Sequence, residues 1–149
     1  MADCLTKNSL SPEETFDIGR QIASLLVPGS VIALNGILGS GKTCLAKGIA
    51  FGLGIGENIT SPTYTIISEY QAFCPFYHID AYRLNSDKDF EDIGGNEIIN
   101  GDGISVIEWS EKIPKSLPEN KITIHLEITG YSSRLIRIEG LDNKGVDNP

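Results

Sequence analysis

Residues Gly36-Ile37-Leu38-Gly39-Ser40-Gly41-Lys42-Thr43 fit the pattern G-x-x-x-x-G-K-[ST]. Glycines let a backbone curl until its N–H groups converge on a polyphosphate. A helix beginning at Lys42 would add positive potential at the same point. Lys42 is placed to reach β- and γ-phosphates, and the Thr43 hydroxyl to ligate Mg²⁺. The plain alternative is a glycine-rich turn between two core elements.

Binding nucleotide is not hydrolysing it, which needs an acidic group near the metal and something to place the attacking oxygen. Glu108 follows the mostly apolar run Ile104-Ser105-Val106-Ile107 and so ends a strand. A carboxylate there is placed to hold Mg²⁺ directly or through water, although aspartate is more usual. Asp80 ends a second run, Phe76-Tyr77-His78-Ile79-Asp80, and leads into Ala81-Tyr82-Arg83. On a strand, His78, Asp80 and Tyr82 share a face. Two ligands do not make a transition-metal site. His78 therefore reads as a hydrogen-bond partner, and Asp80 as a group that positions metal-bound water or the nucleophile. Thr63, in Ser61-Pro62-Thr63-Tyr64-Thr65, stands where a switch segment would meet the γ-phosphate, or it simply starts a strand after a serine-proline turn. Trp109 has two readings, packing near the nucleotide or filling core.

These groups need a frame. Val31-Ile32-Ala33-Leu34 predicts a buried strand before the glycine loop, and Leu45 to Phe51 a helix after it, stopped by Gly52 and Gly54. Ser11-Pro12-Glu13-Glu14 is a capping box that starts a first helix reaching Val27, with Phe16, Ile18, Ile22, Leu25 and Leu26 on its buried stripe. Strands are expected over 65–72 and 76–80, joined through Cys74-Pro75 as a hairpin. Short helical turns follow over 84–100, then the strand ending at Glu108. Alternating segments 121–129 and 134–139 read as antiparallel neighbours around the Gly130 turn. The expected architecture is a three-layer α/β domain of the P-loop NTPase-like kind, with a central mixed, mainly parallel sheet and the nucleotide at the strands' carboxyl ends. Residues 1–140 form one domain, and 141–149 read as a polar, frayed tail.

The chain has 149 residues, 40% hydrophobic and 21% charged, enough for one core but hardly two. Its formal net charge of -8, from 12 basic and 20 acidic residues, argues against a general nucleic-acid binder. Cys4, Cys44 and Cys74 are too scattered for a disulfide framework or a zinc site. Cys44, in the first turn after the loop, reads mainly as a packing residue, and less as a thiol activated by a helix N-terminus. No apolar run reaches the ~20 residues of a membrane span, and no basic-then-apolar leader is present, so a cytoplasmic protein is expected.

Taken together, the glycine loop, Ser61-Pro-Thr-Tyr-Thr65, His78-Ile-Asp-Ala-Tyr-Arg-Leu84 and Val106-Ile-Glu-Trp109 resemble the TsaE (YjeE) family. That family is the ATPase subunit of the bacterial machinery that makes N6-threonylcarbamoyladenosine at position 37 of tRNA. The resemblance implies that Leu38, Gly39, Ser40, Gly41, Lys42 and Thr43 bind the ATP phosphates and that Thr43 and Glu108 hold Mg²⁺. Thr63 and Asp80 match its switch-like and acidic positions, and Arg134 an arginine near the nucleotide. It also implies a weak ATPase that cycles a complex of a TsaD-like threonylcarbamoyl transferase and a TsaB-like companion, with tRNA reached only through those partners. Three rival readings remain. Asp92-Ile93-Gly94-Gly95 spells the D-x-x-G of a small GTPase, but no apolar strand precedes it and an N-K-x-D is missing. A small-molecule kinase would want a basic lid, whereas the charges between Leu84 and Gly103 are mostly acidic. A stand-alone nucleotide switch would bind without hydrolysing.

Overall fold

The computed structural model describes residues 4–57, 59 and 66–141. Seven strands form one sheet in the order β1-β7-β6-β2-β5-β4-β3. They are β1 Cys4–Ser9, β2 Val31–Asn35, β3 Ile67–Gln71, β4 Pro75–Asp80, β5 Ile104–Glu108, β6 Ile122–Ile128 and β7 Arg134–Glu139. The central four, β6, β2, β5 and β4, run parallel. Both edges turn antiparallel, through β3 on one side and through β7 and β1 on the other. The sheet is thus mixed with a parallel centre.

Burial explains the centre. Val31 to Leu34 and Ile104 to Glu108 are buried on both faces, as strands covered by helices on each side must be. On one face lie α1, Pro12–Ala23, and α2, Lys42–Gly52. Ser11 caps α1, accepting from the Glu14 N–H at 3.1 Å, while the Glu14 carboxylate accepts from the Leu10 N–H at 2.9 Å. The two helices touch backbone to backbone. A Cβ on Gly48 would stand 2.0 Å from the Phe16 carbonyl, and one on Gly19 2.4 Å from that of Leu45. Ile18, Ile22, Leu45 and Ile49 join Ile32, Leu34, Ile104 and Ile124 in the larger core. On the other face, α3, Asp87–Asp92, and α4, Gly95–Ile99, bury Phe90 and Ile99 against Val31, Ile79 and Ile107.

Three points differ from expectation. The first helix stops at Ala23 rather than Val27. The Ser24 hydroxyl and N–H both turn back to the Gln21 carbonyl, which tightens the last turn. Strand β1 was not foreseen. Leu141, read as the start of a polar tail, is buried in the larger core. As expected, no strand precedes the Asp92-Ile93-Gly94-Gly95 run, which follows on from the end of α3. Thr63, with the rest of Ser61 to Thr65, and residues 142–149 of the tail lie outside the described residues. Among the described residues, no helix is long and apolar enough to cross a membrane.

Candidate nucleotide site

The glycine loop joins the end of β2 to the start of α2. Gly39 and Gly41 hold φ of +84° and +102°, a region closed to most L side chains, so the loop can curl only with glycine there. Gly36 is needed for a different reason: a Cβ would stand 2.4 Å from Ser40 Oγ. Among the described residues no side chain caps α2, which leaves its first-turn N–H groups directed at the loop. Ser40 Oγ is buried and has no partner among the described residues. A buried hydroxyl without a partner, inside a loop with uncapped amides, suits a polyphosphate as its missing acceptor.

Lys42 opens α2 and turns back over the loop. Its ammonium donates to the Gly36 carbonyl at 2.7 Å and lies 3.4 Å from the centroid of the Trp109 ring. Burial pushes its pKa below the ordinary lysine value, against the pull of Glu108, Glu111 and Asp80. The Trp109 ring thus packs against Lys42 and also joins the core around Val31, Ile79 and Ile107.

Glu108 ends β5 with only 4% of its surface exposed. The Thr43 hydroxyl lies 3.3 Å from both carboxylate oxygens. His78, fully buried on β4, brings Nε2 to 2.5 Å from Glu108 Oε2. A carboxylate offers only acceptors, so the imidazole donates. His78 Nδ1 is buried without a partner among the described residues. Parallel pairing sets Asp80 directly opposite Glu108, while Asp80 Oδ1 accepts the Tyr82 N–H at 3.0 Å. The structure therefore gathers Lys42, Thr43, His78, Asp80 and Glu108 at the carboxyl ends of three adjacent strands. Among the described residues no three His, Cys, Asp or Glu side chains could hold a metal ion by themselves. A threonine hydroxyl beside a carboxylate is instead a hard-oxygen donor pair. It suits Mg²⁺, which is usually held by few protein oxygens, with substrate phosphates and water completing its shell.

Beside the loop opens a cleft of about 460 Å³, lined by Pro12, Thr15, Gly39, Cys44, Tyr131 and Arg134 among others. Except for Arg134 and the loop glycine, sequence reasoning missed these as site residues. Pro12 read only as part of the helix start. Tyr131, fully exposed in a turn, was the one available signal. The Cys44 thiol donates to the Pro12 carbonyl at 3.2 Å, and burial raises its pKa, so the helix N-terminus does not activate it. A further missed pair is Asn35 and Ser110. The Asn35 carboxamide meets the Ser110 hydroxyl at 2.6 Å, tying the loop's entry to the turn after Glu108.

A glycine cradle, an N-terminal lysine and threonine on α2, and a carboxylate at the next strand's end define a P-loop NTPase-like nucleotide-binding protein. Comparison narrows the class. The sequence model of the family described as "Threonylcarbamoyl adenosine biosynthesis protein TsaE" matches residues 9–136. The tRNA threonylcarbamoyladenosine biosynthesis protein TsaE of Treponema pallidum is 45% identical over 130 residues, covering 87% of this chain and 96% of that one. Its Bacillus subtilis counterpart is 39% identical over 137 residues, 91% of this chain and 85% of that one. The crystal structure of Bacillus subtilis YdiB superposes with a TM-score of 0.80 at 35% identity, covering 97% of this chain and 90% of that one. The chain belongs to the TsaE family.

Proposed function

We propose that this protein is a Mg²⁺-dependent ATPase that serves threonylcarbamoyl transfer to adenosine 37 of tRNA by cycling the transferase complex. The observation that carries the reading is the meeting of Thr43, Glu108 and Lys42 at the mouth of the glycine loop, in a chain of this family. Leu38 to Thr43 would bind the phosphates, and the 460 Å³ cleft between α1, Cys44 and the β6–β7 turn would take the nucleoside. Thr43 and Glu108 would hold Mg²⁺, which supplies a Lewis acid at the terminal phosphate. Asp80 would place the attacking water, and Thr63, from its place in the Ser61 to Thr65 run, would ligate Mg²⁺ or sense the γ-phosphate.

The ATPase is proposed to be weak alone and raised by partners, a TsaD-like transferase and a TsaB-like companion. Exposed apolar side chains support docking at the site itself. Ile37 and Leu38 protrude from the loop, Tyr82 packs at a tilt against Trp109 with ring centroids 5.0 Å apart, and Tyr131 stands at the cleft. Such residues around a polar site mark an interaction surface. The net charge of -8 supports tRNA contact through those partners rather than by this chain.

The test is ATP hydrolysis by the purified protein, alone and with the transferase complex. Stimulation that Lys42→Ala abolishes is the expected result. Hydrolysis that ignores the complex and responds to a small metabolite would overturn the reading in favour of a kinase.

A further inference from the structure

We propose that Arg134 is a positioning residue that braces the phosphate loop in its binding shape before nucleotide arrives, and does not serve as a phosphate ligand. The inference rests on the loop being the ATP phosphate site, and concerns how that site keeps its form.

Every nitrogen of the Arg134 guanidinium donates to a backbone carbonyl. Nε donates to Ser40 O at 3.1 Å and Nη2 to Gly39 O at 3.1 Å. Nη1 donates to Gly130 O at 3.2 Å and to Ser133 O at 2.8 Å. Four carbonyls on two separate loops are thus held by one planar fork.

The peptide geometry gives these bonds their meaning. A loop whose N–H groups converge on an anion must turn carbonyls outward, and those carbonyls need donors of their own. Gly39 O belongs to the peptide whose Ser40 N–H closes the loop's turn onto Ile37 O at 3.0 Å, and Ser40 O to the one that carries the Gly41 N–H. A cation bonded to both oxygens polarises both peptides and makes their N–H groups better donors. It also pins the two units that flank the left-handed Gly39 and Gly41. The brace has a firm base, because Arg134 is the first residue of β7 and pairs with Ile128 on β6 and Ser9 on β1. Its other two bonds fix the turn that presents Tyr131 and Ser132 to the cleft. Cleft wall and phosphate cradle are therefore held by one side chain.

Lysine separates the two roles. It keeps the charge a direct phosphate contact would use, but a single ammonium cannot span carbonyls on two loops as the fork does. The experiment is hydrogen exchange at the amides of Gly39 to Thr43 in nucleotide-free wild-type protein, Arg134→Lys and Arg134→Gln, with ADP and ATP affinity measured on each. Both variants are expected to speed loop exchange about tenfold or more and to weaken ADP and ATP by a similar factor, with lysine no better than glutamine. Thermal melts confirm that each variant is folded; should Arg134→Gln not fold, Arg134→Lys against wild type carries the comparison. Wild-type loop exchange in both variants, with affinity kept by lysine and lost by glutamine, would overturn the brace in favour of direct contact. If the wild type bound no ATP, the reading of the site would fall, yet loop exchange in the nucleotide-free proteins would still decide the brace.

Discussion

The Lys42 ammonium rests 3.4 Å from the centre of the Trp109 ring while donating to the Gly36 carbonyl at 2.7 Å. Trp109 pays for that position in backbone strain. At φ 61° and ψ 40° it is the one non-glycine residue with positive φ among the described residues, a conformation that costs about 1–2 kcal/mol. The ring is held there between Lys42 and Tyr82. Since Trp109 is the chain's only tryptophan, its emission reports on the lysine. Saturating Mg-ATP is expected to draw Lys42 off the ring and change that emission, with the midpoint of ATP binding measured by calorimetry. Emission unchanged at saturation would show that Lys42 keeps its place when phosphate binds.

Lys42→Ala removes the main positive charge of the proposed phosphate site. A charge-assisted contact of this kind lowers ATP affinity by about 10- to 100-fold when lost. Calorimetric titration measures it, and affinity kept within threefold would remove Lys42 from the phosphate site.

Glu108→Ala withdraws the carboxylate that faces Thr43 and His78. Turnover is expected to fall by about 100-fold or more, the scale of losing a metal or water ligand, while ATP still binds. Single-turnover hydrolysis with a parallel binding assay separates the two. Unchanged turnover would sink the assignment.

His78→Leu deletes the donor that holds Glu108 Oε2. The expected result is a higher Mg²⁺ requirement for ATP binding and turnover, with nucleotide affinity in EDTA unchanged. His78→Gln, which can still present an N–H near the Nε2 position, is expected to recover most of the loss. Equal defects in both variants at equal Mg²⁺ requirement would assign His78 to packing alone.

Gly48→Ala places a methyl 2.0 Å from the Phe16 carbonyl, where only backbone can give way. Overpacking of this kind costs about 3 kcal/mol. That corresponds to a Tm roughly 6–12 °C lower for a chain of this size, read by thermal melting.

The loop unit was legible because its signals are local: apolar strand, glycines, lysine and helix lie consecutively in 31–52. The same holds for the Ser11 cap. Glu108 was legible because an apolar run ending in a carboxylate marks a strand end. Strand β1 was not, since Cys4 to Asn8 are all exposed and only Ser9 is buried. Backbone pairing with β7 makes it a strand, not a buried face, so it leaves no apolar alternation to read. The His78 bond to Glu108 was hidden for another reason. It joins residues 30 apart and depends on the β4–β5 register, which spacing along the chain does not encode. Arg134 stood out only through the family resemblance, because its grip on Gly39 and Ser40 spans more than ninety positions.

The β4–β5 register also limits how the chain can change length. Asp80 and Glu108 face each other because both strands reach the same edge of the sheet in step. A single-residue deletion or insertion inside either strand would turn one of these carboxylates to the opposite face while leaving the composition nearly untouched. The exposed turn at Glu119 and Asn120 can gain residues without that penalty, whereas 81–86 cannot, since it buries Ala81 and Leu84. Engineered insertions placed within this domain therefore belong in that turn.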